Sequence, residues 1–180
     1  MHARQNRGVA KAPFVVNVAD LLHRPGARRR ERLEGPVEAM VVMDTSVADG
    51  AEASVDAMLE WVADGVLATG TAGVDWMGLC RRCLTPIGGR VTAEFQELFA
   101  LRSVEGETYP LKGDRIDLAP LARESLLLEL PLAPVCRDDC LGLCPTCGAD
   151  RNAGPCGCPD EARDPRWAAL DVLREDDPPV

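Results

Sequence analysis

Histidine is almost absent. The chain has two in 180 residues, His2 and His23, both near its start. His2 reads as a terminal residue and His23 as a turn residue, so the commonest side chain for general acid–base work is missing. Aromatic residues make up 4% of the sequence, and the core must therefore be built from Val, Leu, Ala and Met. No purely apolar run approaches the length a membrane-spanning helix needs. Scattered charges and no apolar stretch at the N-terminus give no expectation of a secretion signal. There is also no G-x-S-x-G elbow, no phosphate-binding P-loop, no G-x-G-x-x-G after a strand and no long internal repeat. These absences point away from an enzyme and away from a small-molecule substrate.

What is present suits one ordinary domain, or one domain with a small metal-stapled module. Hydrophobic content of 46% argues against a fully disordered chain, and 14 prolines with 16 glycines announce many turns. The net charge of −9 is unevenly spread: residues 1–33 carry eight Lys or Arg against Asp20 and Glu31, a net +6, while residues 34–180 carry 12 basic and 27 acidic residues, a net −15. Such an asymmetry can hold a cationic arm against nucleic acid while the body is repelled from it. It equally describes an acidic surface with a loose basic tail.

The eight cysteines are the strongest signal. Cys80 and Cys83 form a CxxC, and Cys136, Cys140, Cys144, Cys147, Cys156 and Cys158 crowd into one later stretch, with Cys147 followed by Gly148. A CxxC followed by Gly is the form of a metal knuckle, where a tight turn converges two thiolates and aims backbone amides at the sulfurs. Eight ligands complete two tetrathiolate sites, and in a cytoplasmic protein, where disulfides are rare, zinc is the expected ion. Eight ligands can be divided between two ions in many ways; the preferred division takes the compact run Cys144, Cys147, Cys156, Cys158 as one set. Cys80, Cys83, Cys136 and Cys140 form the other, closing a long loop between distant segments. Iron–sulfur ligation uses the same residues, but the spacings do not match the common ferredoxin runs. A redox or zinc-buffering dithiol at Cys80 and Cys83 is the alternative function, although no thioredoxin-like βαβ unit surrounds it. Arg81, Arg82, Arg137 and Arg151 flank the ligands and could offset the −2 charge of each zinc tetrathiolate.

The expected fold class is α+β: an antiparallel β-rich domain with few short helices and a Cys-rich zinc-binding C-terminal module. Alternation predicts strands over residues 14–18, 37–43, 55–61, 66–79 and 91–99, with Asp64-Gly65 as a hairpin turn and Pro86, Gly88 and Gly89 as an interruption. Residues 27–34 read as a solvated helical turn or flexible loop, and acidic residues through 52 and polar residues 102–115 as loops. Asp117 is the expected N-cap of a helix to Glu129, its stripe Leu118, Leu121, Ala122, Ser125 and Leu128. Asp164-Pro165 opens a second helix carrying Trp167, Leu170 and Leu173. The expected domains are a disordered basic arm (1–12), a β-rich α+β domain (13–135), a Cys-rich zinc module (136–160), and a short helix with an acidic tail (161–180). With Cys80-Cys83 at the tip between two strands, the arrangement is that of a zinc ribbon's first half.

The motifs C80-R-R-C83-L84, E129-L-P-L-A-P-V-C136 and C140-L-G-L-C144-P-T-C147-G148-A-D-R-N152, with C156-G-C158, resemble the YceD-like family of bacterial large ribosomal RNA subunit accumulation proteins. The likeness spans most of residues 14–175 and is most specific at 80–84 and 124–158. It implies a cytoplasmic, non-enzymatic factor needed for large-subunit rRNA to accumulate, with the pre-ribosomal large subunit, rRNA or a ribosomal protein as partner. Family members differ in their cysteine complement, which implies that metal supports the fold here. Arg28, Arg29, Arg30, Arg81 and Arg82 are the expected RNA or partner contacts.

Overall fold

The computed structural model describes residues 12–158 together with Arg166 and Leu170. The elements in chain order are β1 (Val15–Asn17), β2 (Arg28–Val37), β3 (Met40–Val42), β4 (Thr45–Val47), β5 (Ala51–Val62), β6 (Gly65–Leu79), β7 (Pro86–Ala100), β8 (Tyr109–Pro110), β9 (Arg115–Asp117) and α1 (Ala119–Glu129). The architecture is strand-rich with one α-helix among the described residues. The expected arm over 1–12 lies outside them up to residue 11, and the expected helix from Asp164 lies outside them apart from Arg166 and Leu170.

β6 and β7 pair along their whole length, from Gly65↔Ala100 to Leu79↔Pro86. On its other edge β6 takes β5 along its first part and β4 near its end, at Thr45↔Gly78 and Ser46↔Met77. β3 extends the sheet beyond β4, β2 lines the far side of β5, and β8 adds a short parallel step at Phe99 and Ala100. β1 and β9 form a separate antiparallel pair. One face of the main sheet is apolar, with Val55, Ala57, Leu59, Val66, Ala72 and Val74 all buried. Against it pack α1, through Leu121, Ala122 and Leu126, and the β1 region, through Phe14, Val16 and Val18. Alternation with period two delivers that face, and the residues between point to the opposite side.

Residues 27–34 depart most from expectation, because Arg28–Val37 is a ten-residue strand. Its outward residues are charged and pair across the sheet. Arg28 Nη2 lies 3.0 Å from Glu60 Oε1, Arg30 Nε 2.7 Å from Asp56 Oδ1, and Arg32 Nε 3.2 Å from Asp56 Oδ2. On the inward side Arg29 is salt-bridged to Asp20 and Glu31. A strand whose alternation is charge against charge carries no hydrophobic period, so it is invisible to that test. The expected strand 37–43 is likewise two pieces: Val37 ends β2, and Met40–Val42 turns through Met43-Asp44 into β4, inside the expected acidic loop. The expected polar loop 102–115 contains β8 and the start of β9.

Glycine explains two further differences. The β5–β6 turn is Ala63-Asp64, one residue earlier than expected, and Gly65 is already paired with Val62. A Cβ at Gly65 would sit 2.1 Å from the Phe99 carbonyl oxygen, so this glycine permits close strand approach. Gly88 and Gly89 lie inside β7, where a Cβ on Gly88 would come within 2.7 Å of the Trp76 oxygen. The helix begins at Ala119 with Leu118, not the expected Asp117, at the N-cap and no side-chain cap there; Asp117, one residue earlier, accepts the Ala119 N–H at 3.0 Å through Oδ1. Leu128, expected on the buried stripe, is 87% exposed; Leu126 and Leu130 take the buried positions.

At the centre of the sheet, a Cβ at Gly70 would lie 2.0 Å from the Asp56 carbonyl oxygen across β5. Gly70→Ala is therefore expected to destabilise the domain by about 1–3 kcal/mol, read as a lower urea midpoint with an unchanged slope.

Candidate metal centres

Cys80 and Cys83 sit at the tip between β6 and β7, and the segment after α1 is laid across that tip. The Arg81 N–H donates to the Pro134 oxygen at 2.9 Å, the Leu143 N–H to the Arg82 oxygen at 3.0 Å, and the Cys80 N–H to the Thr85 oxygen at 2.9 Å. The Arg82 side chain donates to the Asp138 and Cys140 carbonyls at 2.8 and 3.0 Å. These bonds bring Cys136 and Cys140 over the tip. Cys80 and Cys140 sulfurs stand 3.9 Å apart, and Cys83 and Cys136 sulfurs 3.7 Å. All four lie within 4.8 Å of one another. A tetrahedron with metal–sulfur bonds of about 2.3 Å has sulfurs about 3.8 Å apart, so the donor set fits an ion of zinc's size. None of the eight cysteines is disulfide-bonded in this structure. Cys80 is fully buried, beyond the reach that thiol exchange requires.

The second cluster, Cys144, Cys147, Cys156 and Cys158, is built within one loop, its sulfurs also within 4.8 Å of one another. The Cys144 N–H donates to the Ala149 oxygen and the Gly148 N–H to the Cys144 oxygen, each at 2.8 Å. Gly148 (φ +72°) supplies the left-handed turn after the CxxC. In the first knuckle Leu84 occupies the equivalent conformation at φ +60°, a strained choice for a side chain with a Cβ. The clusters differ in exposure. Cys80, Cys83 and Cys140 are buried in the first, whereas only Cys144 is buried in the second.

Both sites hold sulfurs readied as thiolates. Burial opposes ionisation of Cys80, yet backbone amides of Cys83, Cys136 and Arg82 aimed at its sulfur bring its pKa down to about 6. Burial opposes ionisation of Cys140 too, but the Gly142 amide and the Asn152 side chain bring its pKa down. Amides of Cys147 and Thr146 bring Cys144 to about 6. The fourth sulfur resists. Hydrogen bonding to Cys140, then burial, pushes Cys136 up to about 12, and contact with Cys147 and Cys156 pushes Cys158 up to about 12. A cation resolves this conflict, because it favours all four thiolates together.

Asn152 joins the two sites, a role its place in the sequence did not disclose. Its Nδ2 donates to Cys140 Sγ at 3.5 Å, and its Oδ1 accepts from the Leu141 N–H at 2.9 Å and Arg137 Nη2 at 2.7 Å. Asp150 fixes it in turn, accepting from both the Asn152 N–H and Nδ2. Leu84 was the other residue without an assigned role; its positive φ is a tertiary demand with no local signature. Of the arginines expected at a partner surface, Arg28 and Arg30 are paired across the sheet, Arg29 with Asp20 and Glu31, and Arg82 is bound to carbonyls. Arg81 is exposed, with no side-chain partner among the described residues.

No other group of three or more His, Cys, Asp or Glu gathers to metal-binding distance among the described residues. No helix there is long and apolar enough to cross a membrane. Fold and site together define a β-sheet domain carrying two closed four-cysteine centres. The chain belongs to the YceD family, whose model, described as large ribosomal RNA subunit accumulation protein YceD, matches residues 68–174 and so includes both centres. An uncharacterized protein of Mycobacterium tuberculosis is 37% identical over 93% of this chain and 86% of its own length. One of Mycobacterium leprae is 34% identical over 93% of this chain and 81% of its own. A chloroplastic large ribosomal RNA subunit accumulation protein YCED homolog of Arabidopsis thaliana is 33% identical over 37% of this chain and 21% of its own length. No solved structure matched significantly.

Removing the contact to Cys140 without touching a ligand is expected to loosen the first centre. Asn152→Ala should retain the folded sheet but lose one metal equivalent to a chelator on the order of 10-fold faster than the parent. Metal uptake must displace protons from the thiols, those of Cys136 and Cys158 among them. Affinity should therefore fall as pH is lowered from 8 toward 5, with proton release per ion measured in a weakly buffered titration.

Proposed function

We propose that this chain is a non-enzymatic factor in assembly of the large ribosomal subunit, its fold held by two zinc ions with four cysteines each. The observation that carries the reading is the family match, which runs through both cysteine centres. The name of the Arabidopsis relative ties that protein to large-subunit ribosomal RNA. Zinc supplies charge neutralisation and a four-way crosslink. Four thiolates leave it no open position for water, so it adds no hydrolytic chemistry. The chain's own residues do the positioning: the tip amides and Asn152 hold the sulfurs, and Arg82 clamps the post-helix segment to the hairpin.

The partner is the pre-ribosomal large subunit in the cytoplasm, met through rRNA or a ribosomal protein. Arg81, beside the first centre and uncommitted, is the strongest candidate of the five arginines for a phosphate contact. The β2 arginines would have to leave acidic partners on β5 to make one. The redox alternative has less support, because the Cys80 sulfur is enclosed.

Two measurements test the reading. Metal analysis of purified protein should return two zinc ions per chain, with all eight thiols protected from alkylation until a chelator is added. Tagged protein in sucrose gradients should sediment with precursors of the large subunit, and a deletion strain should lose large-subunit rRNA relative to small. Absence from every precursor fraction together with normal rRNA in the deletion strain would reject the assignment.

A further inference from the structure

A groove of about 410 Å³ lies between the start of α1, the residues before β1 and the end of β2. Its walls are apolar and stiff: Pro13, Pro36 and Pro120, with Phe14 and Val37. Its rim is acidic, formed by Glu38, Asp117 and Glu124. One cation, Arg123, lines it, and that guanidinium is turned onto the Glu38 and Ala39 carbonyl oxygens at 3.1–3.3 Å. None of the three rim carboxylates is in an ion pair among the described residues; Asp117 accepts the Ala119 N–H and Glu124 the Tyr109 hydroxyl. Glu124 also borders a second cavity of about 490 Å³ shared with Glu97, Glu105 and Glu107, where no Lys or Arg is among the lining residues. Burial, then the Glu124 and Glu97 carboxylates, raises the Tyr109 phenol above its ordinary range, a sign of the negative field there.

We propose that this groove and its acidic neighbour bind an extended, basic segment of a partner protein, apolar side chains against the prolines and Lys or Arg side chains at the carboxylates. The inference rests on the assembly-factor reading and selects a protein over RNA as the partner at this face. A phosphate backbone would meet six carboxylates against one arginine, already bonded to carbonyls, and Coulomb repulsion disfavours it. A proline-walled slot with a one-signed rim meets the complementary needs of a cationic extended strand: apolar contact with little ordering of the wall, and charge at the edge.

The test uses full-length protein and a short fluorescent peptide of alternating Lys or Arg with Pro, Val or Ala, followed by anisotropy at two salt concentrations. Binding should weaken with salt and fall on the order of tenfold in Glu38→Gln/Glu124→Gln, and further in Glu38→Arg, with unchanged thermal melts. A control that removes the same charge elsewhere, Asp44→Asn/Glu94→Gln, should leave binding within twofold. Equal loss in the control would reduce the effect to net charge and overturn the proposal. So would loss of single-stranded RNA binding instead of peptide binding in the groove variant. Neutralising Arg4, Arg7 and Lys11 tests the chain's own arm as occupant: a tenfold gain in peptide affinity would assign the groove to that arm and reject an external partner. Gradients separate the two readings. If the groove variant sediments with large-subunit precursors as the parent does, the groove proposal fails and the assembly role stands. If the parent itself never sediments there, the assembly role fails whatever the peptide does.

Discussion

The β6–β7 pairing is the interaction on which the molecule depends. It runs unbroken over fifteen residue pairs, and every other part is referred to it. Its inner face receives α1, its free β6 edge takes β5 and then β4, and its tip presents Cys80 and Cys83. Local close approach is met by glycine at Gly65, Gly70 and Gly88, where a Cβ would strike a carbonyl of the neighbouring strand. The hairpin is thus both scaffold and template. It sets where the cysteine centre forms, and its glycines set how tightly the sheet is drawn.

The first centre then converts a local turn into a tertiary lock. Cys83 and Cys136 are separated by 53 residues, and between them lie β7, β8, β9 and α1. An ion held by both pairs would join these ends and remove much of the unfolded chain's freedom. The second centre shares the donor chemistry but closes only a short loop and stays open to solvent. Asn152 makes the pair more than two independent knuckles, since one side chain of the second loop touches a ligand of the first.

Hydrophobic periodicity made the β5–β6–β7 meander and the helix after Asp117 legible, and cysteine spacing favoured, without fixing, the two groups the structure gathers. In each, the residues that pack or coordinate are themselves the signal. β2 was not legible, because Arg28 to Arg32 alternate between two ion-paired faces and present no apolar period. The β3–β4 hairpin escaped because its turn, Met43-Asp44, lacks the Gly that usually marks one. Gly88 and Gly89 misled in the opposite sense: read as a break, they are a site of close approach. The arginines were legible as charge but not as commitments, since Glu60 and Asp56 lie far along the chain from the residues they pair with.

The span between the halves of the first centre also has a consequence in time. A chain emerging from the ribosome at about 5–20 residues per second delivers Cys80 and Cys83 roughly 3–10 s before Cys136. For that interval the hairpin tip offers half a ligand set, two sulfurs without their complement. The four sulfurs cannot gather until α1 has been made, so an ion held by all four would be captured only after the strands before it exist.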